Sequence, residues 1–198
     1  MIKILLKSLY SFIFRLLQPL FIYPPGKKIG KEYLSISRVA IMEFLNQWHD
    51  RMHGKVLDVG VGTWEYPREL LHDVCEYIST DCFAHPNIDV VCDITNLQQQ
   101  FTSDQFDFVL CTDVLEHVER PWLAVKQLHS VIKPGGYLLL TTPFNYYLHT
   151  NQYVKDYWRF SSDGLRLLLI MEAGFQKVDC TSIGHPKFPY SFTVVARK

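Results

Sequence analysis

Two glycines follow the first apolar run that the sequence marks as a strand. In the segment VLDVGVGT, residues 56–63, Gly60 and Gly62 come just after this run. Asp58 lies inside the run, and Thr63 is the last residue of the segment. Glycines at the carboxyl end of a strand let the backbone turn sharply, and a ligand can then approach the main chain without obstruction by a Cβ atom. The spacing therefore predicts a ligand-binding crevice at this strand end.

Acidic residues follow the next two predicted strands. Asp81 lies 23 residues after Asp58, where a carboxylate can accept hydrogen bonds from both ribose hydroxyls. Asp93 is placed to accept from an adenine amine while Ile94 packs on the ring, although a helix N-cap is an alternative role for Asp93. Glu65 occupies the position of the third glycine in the dinucleotide fingerprint, and a carboxylate beside a diphosphate is unfavourable. S-adenosylmethionine has no phosphate, and its cationic methionine end suits Asp58. It therefore fits the predicted crevice better than NAD(P) does.

Side chains able to act as acids, bases or ligands follow the fourth predicted strand. Asp113, Glu116 and His117 lie at i, i+3 and i+4, so on a helix they would share one face, which we expect to point into the crevice. His117 is the first candidate general base, because an imidazole titrates near neutral pH, and His149 is the second. A structural role for His117 and divalent-ion binding by the trio are the alternatives. No CxxC spacing indicates a structural zinc site, and we expect no resident metal.

A long polar and aromatic loop follows the fifth predicted strand. It contains His149, Tyr157, Trp158 and Arg159, and loops of this length are usually functional or disordered. The rings suit the apolar face of an acceptor and Arg159 suits a carboxylate or phosphate, so we expect substrate recognition here. The alternative is that Trp158 and Phe160 anchor the loop to the core.

The elements that must position these residues are predicted from apolar runs. A helix is predicted over Lys31–Met52 and another from about Trp64. Near-continuous apolar strands separated by helices indicate a parallel sheet covered on both faces, and the last two runs are close enough to pair as an antiparallel hairpin. The predicted strands are Lys55–Val59, Glu76–Thr80, Ile88–Cys92, Phe106–Cys111, Tyr137–Thr142, Phe175–Ser182 and Tyr190–Ala196.

These motifs resemble those of the small class I S-adenosylmethionine-dependent methyltransferases of the ubiquinone-biosynthesis and cyclopropane-synthase type. The resemblance covers about Lys55 to Phe175, and its most specific part is FDFVLCTDVLEHVERPWLAVKQLHSVIKPGGYLLLTTPF. It implies an α/β, Rossmann-like sheet of seven strands in the order 3-2-1-4-5-7-6, with the seventh strand antiparallel and helices on both faces. It also implies that Asp113, in the fourth-strand motif, lines the methionine end of the cofactor. The sequence departs from the family at Thr63-Trp64, where a third small residue is common and where Trp64 would lie against the cofactor.

The resemblance implies methyl transfer from S-adenosylmethionine to a small-molecule acceptor. The DYWRF segment is similar to methyltransferases of bacterial surface-polysaccharide assembly, so a lipid-linked or saccharide precursor is the expected kind of acceptor. The alternatives are an NAD(P)-dependent oxidoreductase and a non-catalytic Rossmann-like binding protein. The expected cofactor-binding residues are Asp58, Gly60, Gly62, Thr63, Asp81, Asp93, Ile94 and Asp113, and the expected substrate-binding residues are Glu116, Tyr157, Trp158 and Arg159.

The composition limits the classes of binding partner and the compartment that we expect for the protein. The 198 residues suit one packed domain, and the formal net charge of zero argues against a nucleic-acid substrate. Five cysteines without a paired spacing indicate reduced thiols and a cytoplasmic protein.

Residues 1–25 are expected to form an amphipathic apolar segment in front of a methyltransferase domain at 26–198. On a helix, Lys3, Lys7 and Arg15 fall on one narrow face, as in helices that lie in a membrane interface. Peripheral contact of residues 1–23 with the inner membrane surface is one expectation. Packing on the protein's own core or on a second subunit of a homodimer is another, and a spanning helix is the third.

Overall fold

A seven-stranded sheet forms the centre of the protein. The computed structural model describes residues 26–29, 32–73, 76–152 and 154–198. The strands are β3 (Lys55–Val59), β4 (Glu76–Asp81), β5 (Val90–Val91), β6 (Phe106–Thr112), β7 (Ile132–Pro143), β8 (Lys177–His185) and β9 (Phe188–Arg197), which follow a hairpin of β1 (Lys27–Ile29) and β2 (Glu32–Leu34).

The order of the sheet is β5-β4-β3-β6-β7-β9-β8. When the strands are counted within the sheet alone, this order is 3-2-1-4-5-7-6, as predicted. Strands β3 to β7 pair in parallel, and β9 runs antiparallel to both β7 and β8. The predicted fold class and the predicted hairpin are therefore confirmed.

Helices cover both faces of the sheet. Their bounds are α1 (Ile36–Trp48), α2 (Tyr66–Leu71), α3 (Pro121–Val131) and α4 (Ser162–Arg166), the last continuing into a π-helical turn at Leu167–Glu172. Alternate strand residues face opposite sides, because a strand has a period of two. Val56 thus packs in the cluster of α1 and α2, whereas its neighbour Leu57 packs in the cluster of α3.

The first helix is shorter than the predicted Lys31–Met52. It begins at Ile36 because Ser35 is extended and its side chain accepts a hydrogen bond from the Arg38 amide, which makes Ser35 the N-cap. The preceding Glu32–Leu34 pairs with Lys27–Ile29 instead of joining the helix. The second helix similarly begins at Tyr66, two residues after Trp64.

The segment predicted to be amphipathic, residues 1–25, lies outside the described residues. Within the part of the chain that the structure describes, none of the helices has the length and apolarity needed to cross a bilayer.

Candidate functional site

A cavity of about 480 Å³ lies at the carboxyl ends of β3, β4 and β6, and we call it the cofactor cleft. In an open α/β sheet this edge is the place where ligands bind. Nine residues singled out from the sequence line the cleft: Gly60, Gly62, Asp81, Asp93, Ile94, Asp113, His117, His149 and Tyr157. The topology therefore brings together side chains from four separate strand ends and from the long loop.

The glycine loop needs its glycines for two different reasons. Gly60 has φ +72° and Gly62 has φ +56°, in the left-handed region that side chains with a Cβ disfavour. A Cβ on Gly60 would also lie 2.6 Å from Val114 Cγ2, whereas one on Gly62 would meet no atom within 4 Å. Gly60 is therefore required for close packing of the loop on the end of β6, and Gly62 for its backbone conformation alone.

Asp81 and Asp93 are held by main-chain donors. The carboxylate of Asp81 accepts from the amides of Gly62 at 2.9 Å and Phe83 at 3.0 Å, which fixes it at the rim of the cleft. Asp93 accepts from the Thr95 amide at 2.7 Å and caps the short helical segment Ile94–Gln99, which is the alternative role considered from the sequence. Because Asp93 also lines the cleft, capping and ligand contact are compatible.

A second cavity of about 270 Å³ adjoins the first, and we call it the acceptor pocket. Gly60, Asp113 and His149 line both cavities. Asp58 and Glu116, expected from the sequence at the cofactor and the substrate, line the acceptor pocket. Other residues of its wall are Ser35, Ser37, Arg38, Trp64, Tyr146 and Tyr147.

Most of this wall was missed from the sequence. Ser37 and Arg38 belong to α1, whose contact with the strand ends is long-range. Tyr146 and Tyr147 stack with ring centroids 4.3 Å apart, and their place in the same loop as His149 was the available signal. Trp64, expected at the cofactor, instead lines the acceptor pocket.

Asp58 is a buried carboxylate with an unusual proton affinity. Its Oδ2 accepts from the Tyr77 hydroxyl at 2.6 Å, and its Oδ1 has no hydrogen-bond partner among the described residues. Burial raises the pKa of Asp58 to about 7, against the opposing effects of the Tyr77 hydrogen bond and the Arg68 charge. A cationic ligand group at the loop would restore the ionised form.

Asp113 does not share a helical face with Glu116 and His117, so that expectation was wrong. Asp113 has φ +54°, and only Leu115–His117 forms a short 3₁₀ turn after it. Its carboxylate accepts from the hydroxyls of Ser37 and Thr141, which directs it towards α1. Burial raises the pKa of Asp113 in spite of these hydrogen bonds.

His117 and His149 face each other between the two cavities. Their Nε2 atoms are 3.0 Å apart, and the rings are nearly perpendicular. Burial lowers the pKa of His117, against the raising effect of its hydrogen bond with the Lys155 carbonyl. Glu116 is fully buried beside them, with Oε1 at 3.7 Å from His117 Nε2.

Three expected site residues lie outside both cavities. Thr63 lines a separate small cavity of about 50 Å³. Trp158 donates through Nε1 to the Val118 carbonyl at 2.8 Å and stacks on Phe160, which is the anchoring alternative considered from the sequence. Arg159 is paired with the buried Asp156 through both carboxylate oxygens.

A sheet covered on both faces, with a ligand-sized cleft at its carboxyl edge and a smaller pocket beside it, defines a ligand-binding protein of the Rossmann-like α/β class. A family model described as a methyltransferase domain matches residues 31–178. The chain therefore belongs to this methyltransferase family. The predicted enzyme class is confirmed, and S-adenosylmethionine is the cofactor.

Relatives and solved structures are consistent with this assignment. The ubiquinone biosynthesis O-methyltransferase of Pectobacterium atrosepticum is 26% identical over 113 residues, which are 50% of this chain and 47% of that protein. Its counterpart in Pseudomonas aeruginosa is 45% identical over 38 residues, 19% of this chain and 16% of that protein. The matches thus span less than half of these relatives' lengths.

The fold is shared with solved methyltransferases. A SAM-dependent methyltransferase from Archaeoglobus fulgidus superposes with a TM-score of 0.63 at 17% identity, covering 83% of this chain and 95% of that one. The Burkholderia thailandensis 1,6-didemethyltoxoflavin-N1-methyltransferase, solved with its substrate and S-adenosylhomocysteine, gives a TM-score of 0.60 at 18% identity, covering 87% and 93%. The oxidoreductase alternative receives no support from these comparisons.

Proposed function

We propose that the protein transfers the methyl group of S-adenosylmethionine, bound in the cofactor cleft, to a hydroxyl oxygen of a small molecule in the acceptor pocket. The observation that carries the proposal is that the two cavities meet at Gly60, Asp113 and His149. Methyl transfer is an in-line displacement on a carbon activated by a positive sulfur, so alignment of the two ligands supplies much of the rate.

The strand ends supply the groups that hold the cofactor. Asp81, fixed by the Gly62 and Phe83 amides, has lone pairs left for the ribose hydroxyls. Ile94 packs on the adenine ring, and the cap residue Asp93 accepts from its amine. Asp58 and Asp113 carry negative charge to the methionine end, where the ligand has an ammonium group and a sulfonium. The ligand's positive charge there offsets the free-energy cost of burying these two carboxylates away from water.

The acceptor pocket suits a compact hydroxylated molecule. Its volume of about 270 Å³ suits one ring system, and its lining includes the Tyr146 and Tyr147 rings and the carboxyl groups of Asp58, Asp113 and Glu116. The histidine pair has the role of activating the hydroxyl. The Burkholderia enzyme of the same fold is solved with bound 1,6-didemethyltoxoflavin, and the sequence relatives are named as O-methyltransferases of ubiquinone biosynthesis. We propose a phenolic, lipid-linked or saccharide precursor as the acceptor.

A lipid-linked acceptor would require the protein to work at the membrane surface. A lipid-linked acceptor would be reached from the cytoplasmic side by a protein whose residues 1–23 contact the inner membrane surface, because their lysines and arginine suit anionic headgroups. Deletion of residues 1–24 should then abolish binding to vesicles containing anionic lipid without changing the affinity for S-adenosylhomocysteine. Full-length protein that ignores such vesicles would contradict this part of the proposal.

Titration calorimetry tests the cofactor part. The full chain should bind S-adenosylhomocysteine saturably and should not bind NAD(H). Asp81→Ala should weaken that binding by about 1–3 kcal/mol, because the ribose hydroxyls would be left unpaired on burial. Asp73→Ala, at an exposed carboxylate outside both cavities, is the matched control.

Turnover is tested with radiolabelled S-adenosylmethionine and phenolic or saccharide acceptors. Labelled product that depends on the acceptor supports an enzyme. Tight S-adenosylhomocysteine binding with no transfer to any extract fraction of the source cells would support the non-catalytic binding protein instead.

A further inference from the structure

The histidine pair has a hydrogen-bond arrangement that fixes its tautomers. His117 Nδ1 is 2.7 Å from the Lys155 carbonyl oxygen, and His149 Nδ1 is 3.1 Å from the Tyr147 carbonyl oxygen. His149 Nδ1 is also 3.1 Å from a carboxylate oxygen of Asp156. Carbonyl and carboxylate oxygens only accept, so each Nδ1 carries a hydrogen and each Nε2 is the ring nitrogen left to hold a metal ion.

The two Nε2 atoms lie within hydrogen-bond distance of each other, at 3.0 Å. With both Nδ1 atoms protonated, this contact needs a positive ion, which is either a proton held between the two nitrogens or a bound metal ion. Glu116 adds a third acceptor: its side chain is fully buried, and its Oε1 accepts no hydrogen bond from the described residues. Such a buried, unpaired carboxylate oxygen is unfavourable without a positive partner.

We propose that Glu116, His117 and His149 bind a divalent transition-metal ion of the zinc type. One ligand atom from each residue can be chosen so that all three lie within 4.8 Å of one another. Ligands about 2.0–2.1 Å from a tetrahedral ion are roughly 3.3 Å apart. The separations of 3.0 Å between the Nε2 atoms and 3.7 Å between Glu116 Oε1 and His117 Nε2 lie on either side of that value. This proposal differs from the sequence expectation of no resident metal.

The surroundings match those of metal-binding histidines in general. Ligating imidazoles donate their other N–H to a carbonyl or carboxylate, which orients the ring and raises its basicity. Lys155, Tyr147 and Asp156 already supply those oxygens. Two imidazoles and one carboxylate favour zinc, cobalt or iron over magnesium, which prefers oxygen ligands.

Three protein ligands leave a fourth position open, as in catalytic zinc sites. Glu116 and His149 line the acceptor pocket, so the open position faces the acceptor. This step rests on the proposed function: an acceptor hydroxyl bound there would lose its proton to solvent water, because the ion lowers its pKa. Its oxygen would then attack the methyl carbon as the carbon–sulfur bond breaks and S-adenosylhomocysteine forms. The histidines would act as ligands, and direct proton removal by a free imidazole would be unnecessary.

The test measures metal binding without turnover. Full-length protein is treated with a chelator, dialysed and titrated with Zn²⁺ by calorimetry and with Co²⁺ by visible absorption. We expect one equivalent of either ion to bind, a four-coordinate Co²⁺ spectrum, and no competition from Mg²⁺. Glu116→Gln keeps the size of the side chain but removes a metal ligand. Loss of a group that only hydrogen-bonds to a ligand weakens metal binding roughly 10–100-fold, so Glu116→Gln should weaken it by more than that. His72→Asn, at an exposed histidine, is the control and should bind as the unaltered chain does.

The outcomes separate this inference from the proposed function. Absence of Zn²⁺ binding to the unaltered chain overturns the metal site, and so does one-equivalent binding that Glu116→Gln leaves unchanged, since the ion would then lie elsewhere. A Glu116→Gln chain that is less stable is still informative, because its Co²⁺ spectrum is recorded on the folded fraction. S-adenosylhomocysteine binding by the chelated chain tests the proposed function independently of the ion.

Discussion

The buried carboxyl group of Asp58, whose Oδ1 has no partner among the described residues, makes the glycine loop a source of instability in the cofactor-free protein. The change we consider is Asp58→Asn, which keeps the shape and can still accept from Tyr77. Because burial raises the pKa of Asp58 to about 7, the folded protein holds a proton that the unfolded chain releases near pH 4. The proton is bound more strongly in the folded state, so the free energy of unfolding falls as the pH rises through this window.

The magnitude follows from the width of the window. Between pH 5 and the folded pKa of about 7, each pH unit changes the free energy of unfolding by about 1.4 kcal/mol. The Asp58→Asn variant has no ionisable group at this position, so its free energy of unfolding lacks this dependence on pH. Relative to the unaltered chain, Asp58→Asn should therefore gain about 3 kcal/mol of stability at pH 8 compared with pH 5. It should also bind S-adenosylhomocysteine more weakly at pH 8, because the charge that destabilises the empty site attracts the ligand's ammonium group.

Urea denaturation, followed by circular dichroism, gives the difference in stability between Asp58→Asn and the unaltered chain at pH 5 and at pH 8. Asp113 and Glu116 also have raised pKa values through burial, but they are present in both chains and cancel in the comparison. Asp50→Asn, at a side chain that is 97% exposed, is the control and should show no such pH-dependent gain. Equal stability differences at the two pH values would refute the argument that Asp58 is buried without compensation.

Three further substitutions test interactions near the site. Gly60→Ala should lower stability by about 2–4 kcal/mol by urea denaturation, because it adds a clash with Val114 to the cost of a left-handed residue, whereas Gly62→Ala should cost only about 1–2 kcal/mol. Equal losses would contradict the assigned contact. Arg159→Ala should cost about 3 kcal/mol by the same assay, because it leaves the carboxylate of Asp156 buried without its cation. A loss below about 1 kcal/mol would instead favour the substrate-binding role expected from the sequence.

The sheet and the cofactor cleft could be predicted because their signals are local. Short apolar runs alternate with helices, and each of these runs ends close to a site residue. Gly60 directly follows β3, Asp81 is the last residue of β4, and Gly62 and Asp93 lie within three residues of a strand end. Once the strands are parallel, their carboxyl ends share one edge, so these residues meet without further information.

The acceptor pocket could not be predicted in the same way. Ser37 reaches Asp113 across 76 residues of sequence, and this contact requires the packing of α1 on the sheet. The left-handed backbone at Asp113 also has no signature in the sequence, since an i, i+3, i+4 spacing looks the same in a helix and in a turn. The pairing of Arg159 with Asp156, three residues apart, was overlooked because the arginine was considered only as a ligand for substrate.

The two cavities draw on partly different segments of the chain. Strand ends and the turns after them form most of the cofactor cleft, residues 144–161 line both cavities, and α1 lines the acceptor pocket but not the cofactor cleft. Descendants of such a scaffold can acquire new acceptors through changes in this leading helix, while the machinery for the methyl donor is inherited intact. For engineering, exchanging α1 between homologues is consequently a more economical route to altered specificity than redesigning the strand ends or the long loop.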